Sequence, residues 1–435
     1  MEKSVIIIGS GLGGLECGYI LAKKGFLVTI LEQAAKPGGC LQSFRRGGHV
    51  FDTGLHYVGG LDEGQSLRPF FEYFGLMDLP WRRMDPDCVD EIVIGEQSFP
   101  LASGHDSFVE RLAERFPAER NNLKEYVRFL QKIGDDIFKT FEGGNVVMNN
   151  LLGRSAYEYL NETIKNPLLR QVLSGAFMRM ELRETLPLYV FAQINDSFIQ
   201  SAWKLEGGGD RMVGRMVDSI TAMGGTVRTN AKVTSIKAVS GKVSEVEVNG
   251  SETLKAGWVI SDAHPAVTLS LVSDGLRKVY KERISALDNT FGVFTANICL
   301  KPGGMVCPDG NIFIHREGID LWHPDPSATE SVMVHFYPEA QGSVTHLDLL
   351  SPMSFTSGNE DDKYSLSTTG KMASSKGERY ESTKRWKLRE CLDLVSSRLP
   401  WLEGSIESVS TSTPLTYSRY TSTPQGSAFG IRHDW

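Results

Sequence analysis

No Cys-x-x-Cys pair occurs anywhere in these 435 residues. The six cysteines, Cys17, Cys40, Cys88, Cys299, Cys307 and Cys391, are scattered, and Cys17 falls inside an apolar helical pattern. That spacing favours reduced thiols and no zinc. Long apolar runs are missing too. Met1-Glu2-Lys3-Ser4 passes into Val5-Ile6-Ile7-Ile8-Gly9, far too short for a signal-peptide core, and no later stretch approaches the ~18 apolar residues of a membrane span. The expectation is a cytoplasmic protein. Nor is there a dense run of Lys or Arg: 46 basic against 53 acidic side chains leave a formal charge of −7, which argues against nucleic acid as a partner.

What is present in quantity is glycine, 44 residues, about 10% of the chain where ~7% is usual. Backbone in tight places is therefore expected. With 41% hydrophobic and 23% charged residues, the chain is globular and long enough for two or three folding units.

Residues 4 to 32 read as strand, glycine turn, helix, strand. Val5 to Ile8 form a continuous apolar run, as in a parallel strand covered on both faces. Leu15, Tyr19 and Ala22 then recur at helical spacing until Gly25, and Phe26 to Leu31 form the second strand. From about 60 to 204 the pattern is of amphipathic helices: Asp106 is placed as an N-cap, Pro117 restarts a helix, and Leu123, Val127, Leu130, Ile133 and Ile137 line one face. The α/β pattern returns at Gly207-Gly208-Gly209, with a helix carrying Met212, Val213, Met216, Val217 and Ile220, and strands near Val227, Val233, Val243 and Trp258. Past 265 come a strand over Phe291 to Leu300, a polar stretch from 354 to 377 that is either a loop over a site or a surface excursion, and a helix near 384 to 398.

Gly9-Ser10-Gly11-Leu12-Gly13-Gly14 fits G-x-G-x-x-G between a buried strand and a helix, with Glu32 at the end of the next strand, 18 residues after Gly14. Gly9 permits the turn, Gly11 lets a pyrophosphate approach, Gly14 lets helix pack on strand, and Glu32, followed by Gln33, accepts from ribose hydroxyls. A second cluster, Lys36-Pro37-Gly38-Gly39-Cys40 through Arg45-Arg46, stands where a simple NAD domain would enter its next crossover helix. This favours FAD, with backbone N–H groups and Arg45 along the pyrophosphate or beside the ring system; the other reading is an ordinary surface turn.

Phe51-Asp52-Thr53-Gly54-Leu55-His56-Tyr57-Val58-Gly59, with Gly38-Gly39-Cys40 and Phe44 before it, resembles the same stretch in retinol saturases, carotenoid isomerases and phytoene desaturases. Gly207-Gly208-Gly209, Val259 to Pro265, Thr413-Pro414-Leu415-Thr416 and Gly426-Ser427-Ala428 extend the resemblance over nearly the whole chain. It implies an α/β fold: a Rossmann-like FAD-binding domain of the glutathione-reductase type, residues 1–60 and 205–265, with an inserted α+β substrate domain, residues 61–204 and 266–425. It also implies that Val233 presents its backbone to the adenine and that the Ser261-Asp262-Ala263 turn returns the chain toward the substrate domain. The family's closing strand, glycine turn and helix are not found after Gly426, and weaker FAD binding than in a longer form is the expectation.

The chemistry so implied is flavin-mediated addition or removal of hydrogen at carbon–carbon double bonds of a retinoid- or carotenoid-like lipid, with NAD(P)H as a candidate electron donor and peripheral membrane contact as a way to collect substrate. His56 is the candidate catalytic residue, exchanging the proton that accompanies hydride transfer; the other reading is a structural histidine. Asp52 braces a glycine loop. His264, His315, His323, His335 and His346 show no metal spacing and are read as structural or exposed. Phe70, Phe71, Phe74, Met77, Trp81, Met178, Met180, Phe191, Phe198 and Trp203 either line an apolar tunnel or form plain core. An amine oxidase on the same fold and a non-catalytic lipid escort resembling GDP-dissociation inhibitors remain alternatives; intact Gly9, Gly11, Gly14 and Glu32 argue against the escort.

Overall fold

The structure, a computed structural model, describes residues 3–135, 150–239, 242–273, 275–303, 305–306, 308–325, 327–338, 342–354 and 374–434. Ile137, Cys307 and most of the polar 354–377 stretch lie outside the described residues.

The apolar run at the amino end becomes the strand Ser4–Ile8, central in a four-stranded parallel sheet with Leu27–Leu31 and then Thr226–Arg228 on one side and Trp258–Ser261 on the other. Alternate side chains point to opposite faces, which explains why the run is apolar throughout. Val5 and Ile7 pack with Leu15, Ala22, Met216 and Ile220 of the helices Leu12–Lys23 and Asp210–Ala222. Ile6 and Ile8 pack on the other face with Val233, Ile236, Val246 and Val248, from an antiparallel three-stranded sheet of Val233–Val239, Lys242–Val248 and Glu252–Leu254. Phe74 and Leu76 also join the first of these cores, with Phe71 and Trp81 against it, so this core draws on the chain well past residue 60.

The second body is an eight-stranded sheet in the order Ile406–Ser412, Gly292–Leu300, Ser343–Met353, Ser331–Pro338, Asn311–His315, Asp90–Ile94 and Gln97–Leu101, with Met305–Val306 paired beside Ser343–Met353. One face meets a helical layer through Leu112, Tyr126, Leu130, Phe191, Phe313 and Met333. The other is covered by the helix Ser374–Ser396, whose Cys391 and Val395 pack with Val334, Phe336 and Leu347. A small sheet of Val58–Gly59, Ala202–Leu205 and Trp81–Arg83 lies where the chain passes between the two bodies.

Two expectations are corrected. The 60–204 segment is not purely helical, because Asp90–Ile94 is a strand in the large sheet; its opening Asp90 and Glu91 hide the apolar pattern, yet both are buried and charge-compensated, by Arg179 and Arg398. Asp106 is not an N-cap: the cap of His105–Arg115 is Gly104, and Asp106 sits in the first turn, where its charge meets the positive helix end. No helix among the described residues is long and apolar enough to cross a membrane.

Candidate functional site

At the carboxyl end of Ser4–Ile8, Gly9 turns with φ 96°, a conformation only glycine adopts cheaply, and a Cβ on Gly14 would stand 2.3 Å from the Gly9 carbonyl oxygen. Turn and close helix packing are thus both enforced by glycine. Gly11 has a different neighbour from the one expected. A Cβ there would lie 2.5 Å from Asp262 Oδ2, and at Gly13 2.7 Å from Asp262 Oδ1. Gly11 and Gly14 N–H groups donate to the Asp262 carboxylate, which burial nonetheless holds above its usual pKa. The first-turn N–H groups of Leu12 and Gly13 have no acceptor among the described residues. They are the orphan donors that an anion at a helix N-terminus satisfies.

Glu32 is buried at the end of its strand; Oε2 accepts from the Ser10 N–H and hydroxyl at 3.1 and 2.6 Å, and Oε1 from the Ala34 N–H at 2.8 Å. Gln33 is exposed and donates to the Ser422 hydroxyl. Asn230 and Ala231 N–H groups donate to Ala34 and Glu32 carbonyls, so the approach to buried Val233 runs beside the Glu32 turn. Gly38 donates to the Ser10 carbonyl and hydroxyl, and a Cβ on Gly39 would stand 3.3 Å from Gly11 Cα. The second glycine cluster is therefore laid on the first. Arg45 is not brought there: it lies exposed in the hairpin Ser43–Arg46/His49–Asp52, reaching the Gly48 carbonyl near that hairpin's own turn.

Asp52, at the other end of the hairpin, accepts from the Ser43 hydroxyl and the Gly209 N–H, both at 2.8 Å. It braces the Gly207-Gly208-Gly209 turn, and burial raises its pKa to about 6 against those two donors. The chain then enters Thr53 to Tyr57 and the wall between two cavities. One, of about 310 Å³, is apolar in its lining by Phe198, Val293, Phe313, Met333 and Leu350, and also touches Cys40, Thr53 and Gly54. The other, of about 920 Å³, is lined by Asp52, Arg82, Lys204, His335, Tyr337 and His346 among others. His56 lines both. Its Nδ1 is buried without a hydrogen-bond partner, and burial, with Lys204 adding to it, lowers its pKa to about 4. At neutral pH it is an uncharged imidazole.

Sequence reasoning treated His335 and His346 as structural or exposed; both are buried, and a run of ring contacts passes from His346 through Tyr337 and His335 to His56, with centroids 4.5 to 4.9 Å apart. Buried Arg179 was missed as well. It pairs with Asp90 and donates to the Tyr57 hydroxyl at 3.0 Å, with its guanidinium 3.9 Å from the Phe198 ring centroid. The signal available was alternation in the strands 331–338 and 343–353, which puts every second residue on one face. Of the aromatic and methionine set, Met178 and Phe198 line the apolar cavity, whereas Met180 and Phe191 are core of the large sheet and Phe71, Phe74 and Trp81 pack with the first sheet.

Fold and cradle together define a Rossmann-like dinucleotide-binding protein; two orphan N–H groups at the helix start, a second glycine loop laid against them and a buried acidic acceptor fit the pyrophosphate and ribose of a dinucleotide such as FAD. Along its length the chain is similar to all-trans-retinol 13,14-reductases, and over part of it to a carotenoid-acting oxygenase. Residues 7–74 match the NAD(P)-binding Rossmann-like domain family. Human all-trans-retinol 13,14-reductase is 25% identical over 485 aligned positions, covering all of this chain and 78% of that protein. The 4,4'-diaponeurosporene oxygenase of Staphylococcus aureus is 24% identical over 60% of this chain and 56% of its own length. Among solved structures, cyclohexylamine oxidase from Brevibacterium oxydans superimposes with a TM-score of 0.61 at 16% identity, over 97% of this chain and 86% of that one, a likeness of fold.

Proposed function

We propose that the chain is an FAD-dependent oxidoreductase that adds or removes hydrogen at carbon–carbon double bonds of a retinoid- or carotenoid-like substrate. The observation that carries this reading is the place of His56, in a wall shared by an apolar and a polar cavity, on the segment that leaves the hairpin beside the glycine cradle. The full-length similarity to a retinol reductase supports the substrate class. Leu12 and Gly13 N–H groups would hold the pyrophosphate and Glu32 the ribose, and the chemistry that a bound flavin supplies is hydride transfer. The wall of Val293, Phe313, Met333 and Leu350 holds an apolar chain and excludes water, each Å² buried contributing roughly 25 cal/mol. His56, held neutral, takes up or gives the accompanying proton at its unpartnered Nδ1.

Within this proposal the parallel-sheet body, residues 1–60 and 205–265, carries the dinucleotide, and residues 61–204 and 266–425 carry the substrate. NAD(P)H is the proposed source of electrons. Peripheral membrane contact to collect lipid is supported by exposed Leu276, Val279, Tyr280 and Leu287, around a helix that also carries Lys278, Lys281 and Arg283. The test is the absorption spectrum of the purified protein followed by assay with retinol, carotenoids and small amines. Bound flavin and turnover of polyenes are expected. Absence of flavin, or flavin reduction by amines with none of the polyenes turned over, would overturn the proposal in favour of an escort or an amine oxidase.

A further inference from the structure

The cavity behind His56 gathers charged groups, Asp52, Arg82, Lys204 and Asp309 among them, that the apolar one does not. Three neighbouring strands change from apolar to polar in the same direction at alternate positions, Phe313 to Asn311, Met333 to His335 and Tyr337, Leu350 to Asp348 and His346, and of the polar set His335, Tyr337 and His346 line the cavity. The register sets Phe313 against Met333, Met333 against Leu350 and His335 against Asp348, so the change falls on one line across the sheet, and His335 Nδ1 lies 2.8 Å from Asn311 Oδ1 across it. One floor thus serves both cavities, and His56 stands over the change.

Lys204 reaches this polar end from Ala202–Leu205. It is only 7% exposed, and its Nζ donates to the Asp309 and Phe336 carbonyls at 3.0 and 3.3 Å. No carboxylate among the described residues forms an ion pair with it; Asp309 is paired with Arg82 at 2.6 Å. Asp52 is held by Ser43 and Gly209, and Asp348 by Tyr337 and Asn297. A buried ammonium with two neutral acceptors keeps one donor free, and although the Asp309 and Asp90 charges favour it, burial lowers its pKa to about 8, a cost that a counter-ion in contact with it would reduce. The second unanswered polar atom on the same cavity is His56 Nδ1.

We propose that the polar cavity is a head-group subsite and that the substrate is amphipathic: an unsaturated chain in the apolar cavity ending in a carboxylate that pairs with Lys204. The inference rests on the function proposed above and narrows its substrate class. A carboxylate is favoured over a phosphate because one ammonium matches one negative charge, Arg82 on the same lining being already paired with Asp309. The volume, about 920 Å³, exceeds what the head alone needs and leaves room for water around it.

The experiment compares retinoic acid, its methyl ester and retinol, titrated into the flavin-loaded full chain and read by quenching of protein fluorescence. The acid and ester share the chain and differ in the charge. Expected is binding of the acid about tenfold or more tighter than the ester, with Lys204→Met abolishing that preference, Lys204→Arg keeping part of it, and ester affinity little changed in both. Equal affinity of acid and ester in the unaltered protein overturns the subsite, whether or not the variants fold, and so does an equal loss for both ligands in Lys204→Met. Binding of none of the three overturns the function on which the inference rests.

Discussion

The glycine cradle and the two-cavity floor are built by different means. The cradle is backbone: Gly9, Gly11, Gly14, Gly38 and Gly39 act by the side chains they do not have, and all lie within the first forty residues. The floor is side chain: its residues come from strands between 292 and 353 and meet a segment at 52–57 and a strand at 202–205. A backbone site writes itself into sequence as spacing, whereas a side-chain site assembled from alternate positions of distant strands writes almost nothing that spacing can show.

The strongest way to break that contrast is at Gly14. Gly14→Val forces a branched side chain onto the Gly9 carbonyl, and loss of nearly all bound flavin with a lower melting temperature is expected, checked by the 450 nm absorbance per protein and by thermal unfolding. If Gly14→Val keeps its flavin, the cradle is not set by backbone approach. Next comes the floor. His56→Gln should retain flavin while turnover of a polyene falls by about 10²–10⁴-fold; equal turnover would make His56 structural. Glu32→Ala removes a charged acceptor, and flavin affinity should fall by roughly tenfold to a hundredfold, measured by fluorescence titration. Gly11→Ala tests which neighbour that glycine serves: if it makes room for Asp262, the double variant with Asp262→Ala recovers flavin affinity, and if it makes room for the pyrophosphate it does not.

The smallest effect concerns charge in the floor. Burial raises Asp52 to about 6 and Asp348 to about 7. Each is raised above its unfolded value near 3.8, so the folded state binds these protons more strongly, and the stability they contribute is full below about pH 4 and lost as pH rises through 6 and 7. Asp348→Asn, which keeps a neutral amide between Tyr337 and Asn297, should flatten the fall in melting temperature between pH 5 and 8 by a few degrees. An unchanged pH profile would show that these carboxylates are solvated.

These contrasts also account for what was legible. The strand, turn, helix and Glu32 could be placed because each has a fixed offset, and the helix after Gly207-Gly208-Gly209 because its apolar residues keep helical period. Arg45 was placed at the cradle by its nearness in sequence to Gly38-Gly39, but a hairpin intervenes and carries it away. The strand at 90–94 was hidden by Asp90 and Glu91, whose partners lie about ninety and three hundred residues downstream. Lys204 gave no signal at all, since a single lysine in a strand is ordinarily solvated and only the folded chain shows it buried.

The central strand of the parallel sheet has a consequence in time. Val5 pairs with Val28 early, but its other neighbour, Trp258, is 253 residues away, the separation of the Ser4–Gly257 contact beside it. At synthesis rates of about 5–20 residues per second, the strand Ser4–Ile8 waits on the order of 10–50 s with one edge unpaired after it has left the ribosome. During that interval Val5-Ile6-Ile7-Ile8 is a β-prone apolar run open to any passing edge until residue 261 has emerged.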